Sequence, residues 1–167
     1  ITGRNEVDAA TLAAAAKADD GSTQPQLAID SSALGGMYAG AIRLVGTEQG
    51  VGVKLAGDMA ASGGDIQIDA NGKLTLARTA ASGDLTLKAA DVDLTRSAYT
   101  GGKARVTSGG TVEEKESLAA AGDLSLNAAR IDNQGSLEAG VRADGSANTV
   151  SVLDLQGGTL ANRGKVL

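Results

Sequence analysis

Gly64-Asp65-Ile66-Gln67-Ile68, Gly83-Asp84-Leu85-Thr86-Leu87 and Gly122-Asp123-Leu124-Ser125-Leu126 share one pattern, and Gly102-Lys103-Ala104-Arg105-Val106 is a weaker fourth copy. Counted at the residue after the glycine, the steps are 19 (65 to 84), 19 (84 to 103) and 20 (103 to 123). The preceding residues agree as well: Ala60-Ala61-Ser62, Ala80-Ala81-Ser82 and Ala119-Ala120-Ala121. Recurrence at a fixed spacing of this size marks a stacked repeat architecture. The apolar pairs Ile66/Ile68, Leu74/Leu76, Leu85/Leu87, Val92/Leu94, Ala104/Val106 and Leu124/Leu126 enclose the polar residues Gln67, Thr75, Thr86, Asp93, Arg105 and Ser125. That is alternation with period two, the pattern of short strands with one buried face.

Strands this short cannot bury a face alone, but each can stack on its counterpart in the next repeat. If the repeats wind as a coil, position n pairs in parallel with position n+19, about 4.8 Å away. The expected fold class is therefore all-β, a parallel β-helix (solenoid) with about 19–20 residues per coil. Ala and Ser suit a narrow bore near the corners, and glycine takes corner angles other residues reach at a cost. The rival is an antiparallel sandwich, supported by the hairpin signal Asn71-Gly72 between Ile66/Ile68 and Leu74/Leu76. The strict recurrence argues against it, because a sandwich needs no fixed repeat. Stacking also places Asp65, Asp84, Lys103 and Asp123 in one column. The acids are expected to cap corners through Asx-turns, with Lys103 between two carboxylates.

Composition narrows the chemistry. The chain has 167 residues, a net charge of -5, and no Cys, His, Trp or Phe, with only 2 Tyr. Without His or Cys there is no Ser-His-Asp triad, imidazole or thiolate metal site, thiol nucleophile or disulfide. An acidic chain almost free of aromatics lacks the basic grooves and stacking platforms that bind nucleic acid. No apolar stretch approaches the roughly 18 residues of a membrane span, and no signal peptide opens the sequence. The chain is expected to be a monomer and a section of a longer protein.

Three regions are expected. Residues 1–26 form an N-terminal segment with a mobile Ala-rich excursion, in which Asp8 is a plausible N-cap for a helical turn or two. Residues 27–60 are irregular coils, with strands at Leu27-Ala28-Ile29, Ile42-Arg43-Leu44 and Val51-Gly52-Val53. Residues 61–167 are the repeat coils, ending in alternation at Val150/Val152 that changes phase at Leu153/Leu155, where a corner or bulge is expected. At roughly 20 residues per turn, 27–167 would make about seven rungs and a rod of roughly 34 Å.

Few residues invite chemistry. Asp91 and Asp93 flank Val92, which sets their side chains on one outward strand face about 7 Å apart. A glycosidase pair or a calcium site is conceivable there, but a solvated face that discourages sideways aggregation is the better reading. Glu113, Glu114 and Glu116 beside Lys115 read as a surface loop. Ser62-Gly63-Gly64-Asp65 lacks the Gly-Gly-x-Gly-x-Asp spacing of calcium-binding nonapeptides, and Gly35-Gly36-Met37-Tyr38-Ala39-Gly40 lacks the Gly-Lys-Ser/Thr ending of a phosphate loop. No catalytic, cofactor-binding or metal-ligating residue is assigned, and the chain is not expected to be an enzyme.

Three stretches resemble the two-partner-secretion exoproteins of Gram-negative bacteria, the filamentous haemagglutinin-type adhesins and contact-dependent growth inhibition toxins. Ile1-Thr2-Gly3-Arg4-Asn5-Glu6-Val7-Asp8 resembles the segment that follows the family's secretion domain. Ala33-Leu34-Gly35-Gly36-Met37-Tyr38-Ala39-Gly40-Ala41-Ile42-Arg43-Leu44-Val45-Gly46-Thr47-Glu48-Gln49-Gly50-Val51-Gly52-Val53 resembles a family signature. The Gly-Asp-Leu-x-Leu copies, with Ile131-Asp132-Asn133-Gln134-Gly135-Ser136-Leu137 and Leu160-Ala161-Asn162-Arg163-Gly164, resemble its haemagglutinin repeats. The resemblance implies a right-handed β-helical filament, secreted to the cell surface through a dedicated outer-membrane β-barrel transporter of the TpsB type. It also implies a non-catalytic stalk presenting a distal adhesive or toxin-delivery region to a target-cell receptor or host glycan. The secretion domain itself is expected to be absent, as is any C-terminal toxin. An adhesin module binding a glycan or protein on the side of the coil, using 5–26 or the strand of Asp91 and Asp93, is the alternative.

Overall fold

In the computed structural model, which describes residues 5–11, 13–18, 20–32 and 35–167, the chain winds as a parallel β-helix with three columns of strands. The first column stacks Ile42–Gly46, Ile66–Ala70, Leu85–Ala89, Ala104–Ser108 and the first halves of Leu124–Asn133 and Leu153–Asn162. The second stacks Leu27–Asp30, Gly52–Leu55, Lys73–Leu76, Asp91–Leu94, Thr111–Glu114 and the second halves of the same two long strands. The third has seven strands: Met37–Ala39, Met59–Ala61, Thr79–Ala81, Ala98–Thr100, Ser117–Ala120, Ser136–Ala139 and Lys165–Val166. Every pairing between coils is parallel, and Ile66, Leu85, Ala104 and Leu124 follow one another in register.

The inward stations are those the alternation marks. Ile66, Leu74, Leu76, Leu85, Leu87, Leu94, Val106, Leu124 and Leu126 are fully buried, and they form one continuous core. Such burial contributes about 1.5–3 kcal/mol per large aliphatic side chain. The third column lines its side of the bore with smaller groups, among them Ala61, Ala81, Ala98 and Ala120. Thr79 and Thr100 also face inward there and donate their hydroxyls to the carbonyls of Ala77 and Gly83, as buried polar groups require. The backbone ladder runs through the corners too, with the N–H groups of Gly83, Gly102 and Gly122 donating to Gly64, Gly83 and Gly102 at 2.9 Å each.

Four sequence expectations need correction. Asn71-Gly72 is not a hairpin turn but a corner between consecutive strands of one coil. Asn71 is held there by its side chain, whose Nδ2 donates to Thr47 O at 2.7 Å. Among the described residues the Ala-rich stretch forms no helical turn: Asn5–Val7 and Ala14–Ala16 pair as an antiparallel hairpin. Asp8 caps it as a turn residue, its Oδ1 accepting from the N–H groups of Ala10 at 3.0 Å and Thr11 at 2.7 Å. So short an isolated helix is marginal in water even when rich in alanine. Val150 and Val152 do not belong to a strand. They are exposed at 83% and 58%, at the exit of a surface excursion over 140–152 that carries an antiparallel bridge between Val141 and Ala147. The charged run over 113–116 is not a loop, since Thr111–Glu114 is a strand and Glu114 points into the bore. Of the quoted family stretches, 1–4 and 33–34 lie outside the described residues.

Candidate functional site

The column of acids has a structural task, and it reaches between coils. Asp65 Oδ1 accepts from the backbone N–H of Asp84 at 2.8 Å, and Asp84 Oδ1 from that of Lys103 at 2.7 Å. Lys103 cannot accept, and its Nζ instead pairs with Asp123 Oδ2 at 3.0 Å. Asp123 Oδ1 resumes the ladder by accepting from the N–H of Val152 at 3.0 Å. That backbone bond and then Lys103 hold the Asp123 carboxyl below its ordinary range. At two of these corners the glycine has a reason. A Cβ on Gly83 would land on Asp65 Oδ1, and one on Gly102 would land on Asp84 Oδ1. The Gly-Asp pair is therefore a clip in which the acid of one coil occupies the space left by the glycine of the next.

Asp91 works in the same way, its Oδ1 accepting from the N–H of Thr111 at 2.8 Å. Asp93 differs. It faces out of the coil, as the alternation requires, yet it is only 9% exposed. Lys115 Nζ sits 2.8 Å from its Oδ1 and Lys73 Nζ sits 3.6 Å from its Oδ2. Its neighbour raises the Lys115 pKa chiefly through that hydrogen bond. The expected solvated face is thus corrected: lysines from the coils on either side cover Asp93. Asp91 and Asp93 are each engaged in their own coil-to-coil contacts and present no free carboxylate pair. Further ion pairs on the outside also link coils, Asp58 with Arg78 at 3.3 Å, Asp69 with Lys88 at 3.6 Å and Glu116 with Arg96 at 3.7 Å. Exposed pairs of this kind contribute about 0–1 kcal/mol each.

The residue that sequence reading missed is Glu114. It occupies the inward station above Leu94 and below Asn133, and both it and Asn133 are fully buried. A signal was present: continuing the pairs Leu74/Leu76 and Val92/Leu94 by one and two periods reaches Val112/Glu114 and Ile131/Asn133. Glu114 Oε2 accepts from the N–H of Gly135 at 3.2 Å. Asn133 Nδ2 donates to Asn162 Oδ1 at 2.7 Å and to Lys165 O at 2.9 Å. An open cleft of about 700 Å³ lies between the N-terminal hairpin and the coil, with Lys17, Gln24, Glu48, Asn71 and Lys88 on its walls. Among the described residues no group of three or more His, Cys, Asp and Glu side chains is placed to hold a metal ion.

Comparison with known proteins gives two family matches. Residues 1–76 match the family model of the TPS secretion domain, and residues 77–113 and 115–167 match that of the haemagglutinin repeat. The first match corrects the expectation that the secretion domain is absent. The junction at 76/77 falls inside the uninterrupted coil, where Leu76 pairs with Leu94. A tRNA nuclease CdiA of Yersinia mollaretii is 37% identical over 164 residues, 96% of this chain and 5% of that protein. A 16S rRNA endonuclease CdiA of Enterobacter cloacae is 45% identical over 107 residues, 64% of this chain and 3% of that protein. A toxin CdiA of Yersinia pestis is 58% identical over 73 residues, 44% of this chain and 2% of that protein. The chain thus spans a few per cent of the curated relatives it matches, and their nuclease names describe whole proteins. No solved structure matches. A parallel coil built on Gly-Asp clips, with the TPS match running straight into haemagglutinin repeats, shows that the chain belongs to the two-partner-secretion exoproteins that carry haemagglutinin repeats.

Proposed function

We propose that this chain is a non-catalytic, rigid section of a secreted cell-surface exoprotein, spacing a distal adhesive or toxin-delivery region from the cell. The observation that carries the reading is the register Ile42, Ile66, Leu85, Ala104, Leu124, Leu153, in which each coil is the template for the next. Adding a coil lengthens such a rod by about 4.8 Å without changing its cross-section. In this reading the outer-membrane transporter of the TpsB type recognises the region of the TPS match, and a chain without cysteine passes it unfolded and free of disulfides. Folding outside then proceeds coil upon coil and biases export forwards.

Deletion of 79–97, one circuit from Thr79 to its register mate Ala98, tests the rod. Small-angle scattering should show the longest dimension falling by about 5 Å with the cross-sectional radius unchanged. A changed cross-section, or an unchanged length in a folded variant, would reject it.

A further inference from the structure

Once Lys115 is counted with Asp93, two buried side-chain oxygens remain without a hydrogen-bond partner among the described residues: Glu114 Oε1 and Asn133 Oδ1. They belong to register mates in adjacent coils, about 4.8 Å apart along the column. The Asn133 amide is oriented by its nitrogen, which donates away from Glu114 to Asn162 and Lys165. Its oxygen is thereby left on the Glu114 side. Glu114 Oε2 is also occupied, by the N–H of Gly135. What remains is one carboxyl oxygen and one amide oxygen, two acceptors with no donor, above the buried Leu94 of the coil beneath. A bridging water would find only these two acceptors, the fewest partners that hold a buried water, and a hard cation would need about six oxygens. One hydrogen satisfies both atoms.

We propose that Glu114 is a proton-binding site in the core of the coil: its carboxyl is held neutral, and its Oε1–H donates to Asn133 Oδ1. Glu114, Asn133 and Asn162 then form one hydrogen-bonded ladder through three coils. The charged groups around it are accounted for elsewhere. On its own strand Glu113 and Lys115 lie on the outer side, Lys115 against Asp93 of the coil beneath. In the coil above, Asp132 is held by Arg130 and Arg163. At the corner Glu116 pairs with Arg96, and the last strand turns the Lys165 carbonyl to Asn133. Glu138 of the third column is half-buried, next to the inward Leu137. Burial pushes the Glu114 carboxyl up, the backbone N–H groups of Glu116 and Gly135 oppose this, and the negative charge of Glu116 adds to the rise. A folded pKa above the unfolded one means that the contribution is complete below the ordinary carboxylate range. It fades as pH rises through the folded value.

The test uses the 167-residue chain with ¹³C-labelled glutamate. NMR titration of the side-chain carboxyl should give Glu114 a midpoint above those of the other glutamates. Denaturant unfolding of the same chain should weaken by up to tenfold in the equilibrium constant per pH unit between the ordinary glutamate value and that midpoint. In Glu114→Gln an N–H replaces the O–H toward Asn133 and no proton is exchanged, so this limb should vanish from its profile. A Glu114 midpoint at or below those of the other glutamates would overturn the proposal. So would parallel pH profiles of the two chains, or stabilisation that follows added K⁺ or Ca²⁺ instead of pH. Should Glu114→Gln not fold, the NMR midpoint decides alone.

Discussion

The second column contains two kinds of core at the same station. In the lower coils the inward residue is Leu55, then Leu76, then Leu94; in the upper coils it is Glu114, then Asn133, then Asn162 at the open end. From Leu55 to Asn162 the backbone pairing is parallel and in register. The difference shows that the ladder, rather than the apolar character of each side chain, carries the coil from one layer to the next. A leucine asks only for close neighbours, which any coil supplies. A buried acid or amide asks for a named partner one coil away, so its stability is shared with that partner.

Leu76→Asp breaks the comparison most severely. It puts an acid at the lower station with no amide above it, and should cost more than the about 2–5 kcal/mol of a buried Leu→Ala change, read by urea unfolding. Asn133→Leu should cost about 1–3 kcal/mol, because it leaves the buried Glu114 without its partner. The double variant Glu114→Leu with Asn133→Leu should recover most of that loss, since removing both partners removes the unmet demand. Equal losses for the single and double variants would mean that the upper station is not coupled. Asp93→Lys should cost about 1–3 kcal/mol, less than the full penalty for breaking a buried pair because Lys73 and Lys115 both reach water. An unchanged urea midpoint would restore the reading of Asp93 as a solvated residue. Asp65→Ala should cost about 0.5–1.5 kcal/mol for one clip, and should partly relieve the damage of Gly83→Ala, whose new Cβ collides with that carboxylate. The smallest effect is at the rim. Arg130 and Arg163 hold the Asp132 carboxyl low against the upward push of desolvation. Its contribution is present above the ordinary Asp value and is lost as pH falls through the folded one. Arg163→Ala should therefore flatten the acid limb of the stability profile slightly.

The coil was legible because its cause is local and repeated. Ile66/Ile68, Leu85/Leu87 and Leu124/Leu126 alternate within a few residues, and their spacing announces a stack before any contact is known. The acids were legible only in part: Asp65 and Asp84 were expected to cap their own corners, but each reaches the N–H one coil on. The hairpin at Asn5–Val7 and Ala14–Ala16 was not legible, because alanine is the best helix former, yet a segment this short cannot repay helix nucleation and takes the structure its turn residue Asp8 allows.

By itself, the sequence determined the period, the inward face of the regular coils and the exclusion of His- and Cys-based chemistry. These follow from residue types and from spacing along the chain. Only the tertiary structure decided that Glu114 belongs inside, that Asp93 is covered by two lysines, and that Asp65, Asp84 and Asp123 tie neighbouring coils together. Those outcomes depend on which side chain stands about 20 residues away and one layer over. A charged residue is read as exposed until the layer above it is in place.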